Sequence, residues 1–185
     1  ACIGYRLIPE AKIPDCVQDC KAAVRWVRAN AGRYGINPDR LGAIGGSAGG
    51  HLVAILGTSH KATKLEGDGG NPGVSSRVQA VVAMAPVTDF TAFSGRQEMD
   101  KETAALISPV THVDKESAPV LLLHSDEDRT VPLKQSEILL AKYKEAGVSA
   151  EMVTVKGGGH AFWNQDPWFG ENMGRVVAFF RETLK

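Results

Sequence analysis

The sequence predicts an α/β protein, a mostly parallel sheet flanked by helices. Short β-like apolar runs alternate with longer amphipathic runs along all 185 residues. Their order is β-α-β-α-β-(loop, short α)-β-α-β-α, the alternation that builds parallel sheets through right-handed crossovers. One run, Val120-Leu121-Leu122-Leu123, lacks any polar alternation. A strand covered on both faces has this pattern.

The elements follow in order. Residues 1–7 form a short apolar strand candidate, and Pro9 and Pro14 then mark a loop. Asp15 is placed to cap a helix running to about Asn30, with Val17, Cys20, Val24 and Val27 as its buried stripe. Gly32, Gly35 and Asn37-Pro38-Asp39 make the following turn. Residues 41–44 are a strand broken at Gly45-Gly46, and a helix runs from about Ala48 to Gly57. Leu52, Val53, Ile55 and Leu56 leave that helix little polar face, so it is expected to be central and buried. A loop rich in glycine and charge covers residues 59–76, and residues 78–85 are the next strand, stopped by Pro86. A polar stretch with one short helix near residues 101–107 precedes the strand at 119–124. Residues 133–146 form a helix closed by Gly147, and residues 150–155 are the last strand. The final helix carries Met173, Val176, Val177, Phe180 and Leu184 on one side.

Composition narrows the function classes. Hydrophobic residues make up 43% and charged residues 23%, an ordinary globular balance rather than a disordered one. Twenty-one basic against 21 acidic residues give a formal charge of +0, which argues against a broad nucleic-acid or acidic-membrane surface. No run reaches the roughly 18 apolar residues of a membrane span. Three cysteines form no disulfide scaffold. Cys16 and Cys20 lie at helical spacing, but no second Cys/His pair at zinc spacing accompanies them, so they read as buried small hydrophobes. The length is that of one domain, or a piece of one. Residue 1 is Ala and the chain opens on a strand-like run, so an upstream segment is expected and no targeting signal can be read. Localisation and oligomeric state stay open.

Ligands of open parallel sheets bind beyond the carboxyl ends of the strands, so the residues there are the candidates. Gly45-Gly46-Ser47-Ala48-Gly49 follows the strand at 41–44 and precedes a helix, matching G-x-S-x-G in its required context. The competing reading is a glycine-rich turn with a serine cap. Asp126 and Asp128 follow the apolar strand, where acids are also common turn formers. His160 follows three glycines after the last strand, a position equally suited to a solvated loop residue. Together, Ser47, an acid and His160 follow three different strands in the order Ser…Asp…His, the chain order of a known nucleophilic triad.

On these residues the chain resembles the α/β-hydrolase superfamily, within its esterase/lipase group of hormone-sensitive-lipase-like and carbohydrate-ester-cleaving enzymes. The resemblance also rests on Tyr5-Arg6-Leu7-Ile8-Pro9-Glu10, Ala22-Ala23-Val24-Arg25-Trp26-Val27, Gly35-Ile36-Asn37-Pro38-Asp39-Arg40 and Gly158-Gly159-His160-Ala161-Phe162-Trp163. It covers nearly the whole chain. The family carries its acid in D-x-x-V-P, here Asp128-Arg129-Thr130-Val131-Pro132, which selects Asp128 and leaves Asp126 as the fallback. The resemblance implies a serine hydrolase of small acyl or carbohydrate-linked esters that needs no metal or organic cofactor. It implies Ser47 as nucleophile, His160 as base, Asp128 as its orienting acid, the Ala48 N–H as an oxyanion donor and Gly46 beside it. The alternatives are a prolyl-oligopeptidase-type serine peptidase, which shares the Asp and His signatures, and an inactive scaffold.

Related enzymes carry an upstream HGGG-type loop that completes the oxyanion hole, and no such run occurs here. Residues 5–7 would match the end of the family's fourth strand. The chain is therefore expected to be a single catalytic domain lacking its first strands, the C-terminal part of a larger one. A slot is expected between residues 1–7 and 41–44, where the family's third strand would lie. Loops 59–76 and 87–100 are the expected shapers of specificity. Trp163 and Phe162 are candidates for an acyl or sugar pocket or for core packing. His51 and His124 are expected to be structural, His60 and His112 solvated, and Asp89 a loop brace.

Overall fold

The computed structural model describes residues 1–92 and 99–185. Part of the candidate pocket loop at 87–100 therefore lies outside the described residues. The chain runs α1 (Ile13–Ala29), a short α2 (Ala31–Tyr34), β1 (Gly42–Gly46), α3 (Ala48–Thr58), β2 (Ala80–Met84), α4 (Lys101–Ile107), β3 (Val120–Ser125), α5 (Lys134–Glu145), β4 (Ala150–Val155) and α6 (Trp168–Thr183).

The four strands form one parallel sheet in the order β1-β2-β3-β4. Alternate residues of the inner strands face opposite sides, as the two-residue strand period demands. Val81, Ala83, Val120 and Leu122 pack with α1, α3 and α5, around Val17, Ile55, Leu139 and Tyr143. Ala80, Val82, Met84, Leu121 and Leu123 pack with Phe162 and the α6 residues Val176 and Phe179. Helices thus cover both faces, which is why the strand at 119–124 shows no polar alternation. Each fully buried leucine contributes about 1.5–3 kcal/mol over an exposed one. The buried α3 runs through the middle of this packing, with residues 50–58 all inaccessible. Gly147 follows α5 at φ 69°, the left-handed turn expected there. Cys16 and Cys20 are buried free thiols, and burial pushes Cys20 up to about 12.

Three expectations need correction. Residues 1–7 are not a strand. They run exposed along α1, with Leu7 at 61%. The Arg6 guanidinium and backbone N–H both donate to Asp19, and the Cys16 thiol donates to the Arg6 carbonyl. Strand formation needs a partner edge, and among the described residues none pairs with the outer edge of β1, where Ile44 is 45% exposed. The slot is thus an open edge rather than a gap between two strands. Asp15 is not the N-cap of α1. The helix begins two residues earlier, at Ile13, and Asp15 sits in its first turn accepting the Lys12 N–H at 2.9 Å. Pro14 is also inside that turn, where its missing N–H costs nothing. In α6, Val177 is 48% exposed and Phe179 is buried in its stead. Met173, Val176, Phe180 and Leu184 pack against the sheet as expected, with Asn172 and Phe179 buried beside them.

Among the described residues no helix is long and apolar enough to cross a membrane.

Candidate active site

Ser47 occupies the sharp junction between β1 and α3. Its backbone is at φ 54°, ψ −117°, a conformation that L residues rarely adopt and that is held only by surrounding structure. Two backbone bonds do the holding: Ser47 N–H to the Met84 carbonyl at 2.9 Å, and His51 N–H to the Ser47 carbonyl at 3.0 Å. A side chain on Gly45 would strike the Gly49 backbone, so the glycine spacing of the motif is a steric requirement of the turn. Ser47 flanks the helix start but its hydroxyl does not cap it. The hydroxyl lies 2.7 Å from His160 Nε2 instead.

His160 follows β4 on the glycine loop. Its Nδ1 lies 2.7 Å from Asp128 Oδ2. Asp128 follows β3, and its side chain is fully buried while that of His160 keeps partial access to solvent. The other Asp128 oxygen, Oδ1, accepts the Thr130 and Val131 backbone N–H groups at 2.8 and 2.9 Å. Burial by itself would raise the Asp128 carboxyl. The bond from His160 and the two backbone donors outweigh it and hold the group below the usual carboxylate value. A carboxylate accepting only N–H donors stays ionised and fixes a proton on His160 Nδ1. That leaves Nε2 free to accept from Ser47.

The structure thus brings together Ser47, His160 and Asp128. It directs Asp126 elsewhere, to the Lys156 ammonium at 2.9 Å and the Gly157 N–H at 3.0 Å. Ala48 is the first residue of α3, where a backbone N–H has no acceptor inside the helix. Gly46 faces the Trp163 indole, and a Cβ there would come within 2.5 Å of Cε2. Trp163 also meets the His160 ring edge-on, with centroids 5.6 Å apart. Phe162 is fully buried in the core beside it.

The other histidines take varied places. His51 is buried, donates from Nε2 to the Ile107 carbonyl at 2.8 Å and packs edge-on against Phe90. Burial pushes its pKa down to about 4. His112 is not simply solvated, since it bonds the Leu106 carbonyl at 2.7 Å. His60 is nearly buried, 3.2 Å from Glu116 and 3.5 Å from Asp114. Among the described residues this is the group of three that could hold a metal ion. The Lys61 ammonium already pairs with both carboxylates, at 2.7 and 3.2 Å. Asp89 braces its own loop by accepting from Thr91 and Ala92.

Loop 59–76 is pinned by residues that sequence reasoning did not single out. Lys21 of α1 is 1% exposed and donates to Glu66 Oε1 at 2.7 Å and the Ser59 carbonyl at 2.9 Å. Arg25 donates to Glu66 Oε2 at 2.9 Å. A cavity of about 510 Å³ opens between this loop, Arg25 and Arg77. It is lined by none of the three gathered side chains. The hydrophobic stripe of α1 pointed to its buried face, and the clue to this contact was a lysine and an arginine flanking that stripe.

A four-stranded parallel sheet with helices on both faces, and a serine in a strained strand-to-helix turn, defines an α/β-hydrolase fold. A family model, BD-FAE, matches residues 1–143, and the chain belongs to that family. It is 32% identical over 166 residues to the esterase LipQ of Mycobacterium tuberculosis, across 80% of this chain and 38% of that protein. The probable carboxylic ester hydrolase LipM of the same organism is also 32% identical, across 72% of this chain and 35% of LipM. The chain therefore spans well under half the length of these relatives. Among solved structures, a truncated form of a carbohydrate esterase from gut microbiota superposes with a TM-score of 0.86 at 32% identity, covering 97% of this chain and 72% of that one. Esterase 2 of Thermogutta terrifontis, phosphorylated by paraoxon, superposes with a TM-score of 0.83 at 28% identity, covering 97% and 68%.

Proposed function

We propose that the protein is a serine-dependent carboxylic ester hydrolase acting on small acyl or carbohydrate-linked esters through an acyl-enzyme. The observation that carries this is the continuous chain of contacts Ser47 Oγ to His160 Nε2 and His160 Nδ1 to Asp128 Oδ2, both 2.7 Å. Such a chain gives the serine a base with the correct tautomer. The relatives named esterases support the bond class, and the carbohydrate esterase supports the alcohol class.

In the first half-reaction, Ser47 Oγ bonds to the ester carbonyl carbon as its proton passes to His160 Nε2. Asp128 stabilises the imidazolium that forms. The Ala48 N–H, at the positive end of α3, stabilises the oxyanion. Collapse breaks the ester C–O bond, and the alcohol leaves with the proton from His160. Water then adds to the acyl-enzyme, with His160 again taking the proton, and the acid and Ser47 are released. Gly46, with no side chain, lets the Trp163 indole pack directly against the turn that carries Ser47.

The test is stoichiometric. The folded chain is treated with a fluorophosphonate, and the modified peptide is located by mass spectrometry. Hydrolysis of short-chain p-nitrophenyl esters is measured alongside that of prolyl anilides. One adduct at Ser47, absent in Ser47→Ala and His160→Ala, with ester turnover exceeding anilide turnover, is expected. A folded wild-type chain that forms no adduct overturns the proposal in favour of a scaffold. Anilide turnover dominating would replace the esterase with a peptidase.

A further inference from the structure

We infer that His124 and Ser136 are positioning residues that extend the Ser47–His160–Asp128 arrangement on the far side of the carboxylate. The inference rests on the esterase reading of that site.

His124 is the fifth residue of β3, fully buried, and Ser136 faces it from α5 with no exposure either. Neither belongs to the three residues gathered at the site. His124 Nε2 lies 2.9 Å from the Val131 carbonyl and 3.4 Å from Asp128 Oδ2, while Nδ1 lies 2.7 Å from Ser136 Oγ. A carbonyl oxygen only accepts, so Nε2 must carry the proton. Burial holds the ring below the usual histidine value, against the Val131 carbonyl and the Asp128 charge that favour its protonation. The neutral ring therefore has a bare Nδ1, and the Ser136 hydroxyl must donate to it. Every proton in the chain is assigned by elimination. The titratable groups facing His124 are Asp128 and, beyond it, His160.

The result is a carboxylate between two imidazoles, each holding a serine. Asp128 Oδ2 takes its short bond from His160 at 2.7 Å and the longer approach of His124 at 3.4 Å. The Nε2 proton of His124 is shared with the Val131 carbonyl, whose own residue donates its N–H to Asp128 Oδ1. The loop from 126 to 132 is thus clamped between its acid and the strand that precedes it. Two consequences follow. Oδ2 is held facing His160 because rotation would break contacts to both rings. The fully buried His124 ring also fills the space behind Oδ2, so the carboxylate cannot swing back from His160.

The test uses the whole chain and three variants. His124→Phe keeps an aromatic ring and removes both nitrogens. His124→Gln restores an amide N–H at the reach of Nε2. Ser136→Ala removes only the donor to Nδ1. The rate of fluorophosphonate labelling of Ser47 is followed, with thermal unfolding as the control for folding. Nitrogen-15 NMR reads the ring tautomers. The wild-type His124 ring is expected as the Nε2–H tautomer near neutral pH. His124→Phe is expected to slow labelling roughly 10- to 100-fold, the value of a lost bond to a charged group. His124→Gln recovers most of the rate. Ser136→Ala leaves labelling within about tenfold and keeps the Nε2–H tautomer, which the Val131 carbonyl still requires.

An Nδ1–H tautomer in the wild type overturns the inference, as does a folded His124→Phe that labels at the wild-type rate, or a His124→Gln that recovers none of the rate His124→Phe loses. Should His124→Phe not fold, the tautomer measurement and the Gln and Ser136→Ala variants decide. Asp128→Asn separates the two readings. If it labels as fast as wild type, or the wild type does not label, the esterase reading fails. If it alone is slow, only the role of His124 and Ser136 fails.

Discussion

The Trp163 indole occupies the space that a side chain on Gly46 would need, with Cε2 only 2.5 Å from where that Cβ would stand. The same indole meets His160 edge-on at 5.6 Å. Gly46, the residue before Ser47, and His160 are therefore coupled through one ring. Gly46→Ala must push Trp163 aside, and His160 moves with it. The expected cost is about 10²-fold in ester turnover, the typical price of misplacing a catalytic group by an ångström. Gly46→Ala combined with Trp163→Leu should recover part of the loss. Steady-state kinetics check this, and a fully active Gly46→Ala would break the coupling.

The two acids after β3 are separable by substitution. Asp128→Asn is expected to reduce turnover by about 10⁴-fold, because the amide no longer holds the required tautomer of His160. Asp126→Asn weakens only the contacts to Lys156 and Gly157 and should stay within about threefold of wild type. Equal losses in the two variants would contradict the assignment.

His51 makes stability depend on pH. Its folded value of about 4 lies below the ordinary 6.5. Between those values the unfolded ring binds a proton that the folded ring refuses. The stabilisation is complete above about pH 6.5 and is lost as pH falls toward about pH 4. The full swing is on the order of 3 kcal/mol. His51→Gln keeps a donor for the Ile107 carbonyl and cannot titrate. Urea unfolding of both proteins near neutrality and at about pH 4 should show the wild-type advantage shrinking. A constant difference would refute the role of His51.

Glu66 neutralises a buried lysine. Glu66→Ala leaves the Lys21 ammonium, 1% exposed, with only the Ser59 carbonyl as partner among the described residues. Removing one partner from a buried pair costs about 3–5 kcal/mol, and the partial exposure of Glu66 places the loss near the lower figure. Lys21→Met with Glu66→Ala should return part of it. Chemical denaturation measures both.

Much of the fold was legible because its signals are local. The alternation of apolar runs, the all-apolar run at 120–123 and the Gly147 stop are each read within a few residues, and each stands where expected. The candidate site was legible for a related reason. A parallel sheet delivers every strand's carboxyl end to the same edge, so Ser47, Asp128 and His160 needed only to follow three strands to be gathered there. Selecting Asp128 over Asp126 drew on the D-x-x-V-P pattern, and in the structure it is Asp128 that lies 2.7 Å from His160.

Other features had no local signal. Residues 1–7 have the composition of a strand, yet strand structure exists only against a partner edge, and the Arg6–Asp19 pairing lays them on α1 instead. The burial of Phe179 and the exposure of Val177 are set by how α6 sits on the sheet it covers. Lys21 and Glu66 stand 45 residues apart, and nothing near either announces the other. His124 reads as a polar strand end, and its place behind Asp128 exists only because α5 brings Ser136 against it. Which residues become strand ends and turns is a local matter, since propensity and steric limits act over a few bonds. The tertiary structure decided which polar groups meet, because a buried hydrogen bond depends on two distant segments arriving at one point with water excluded.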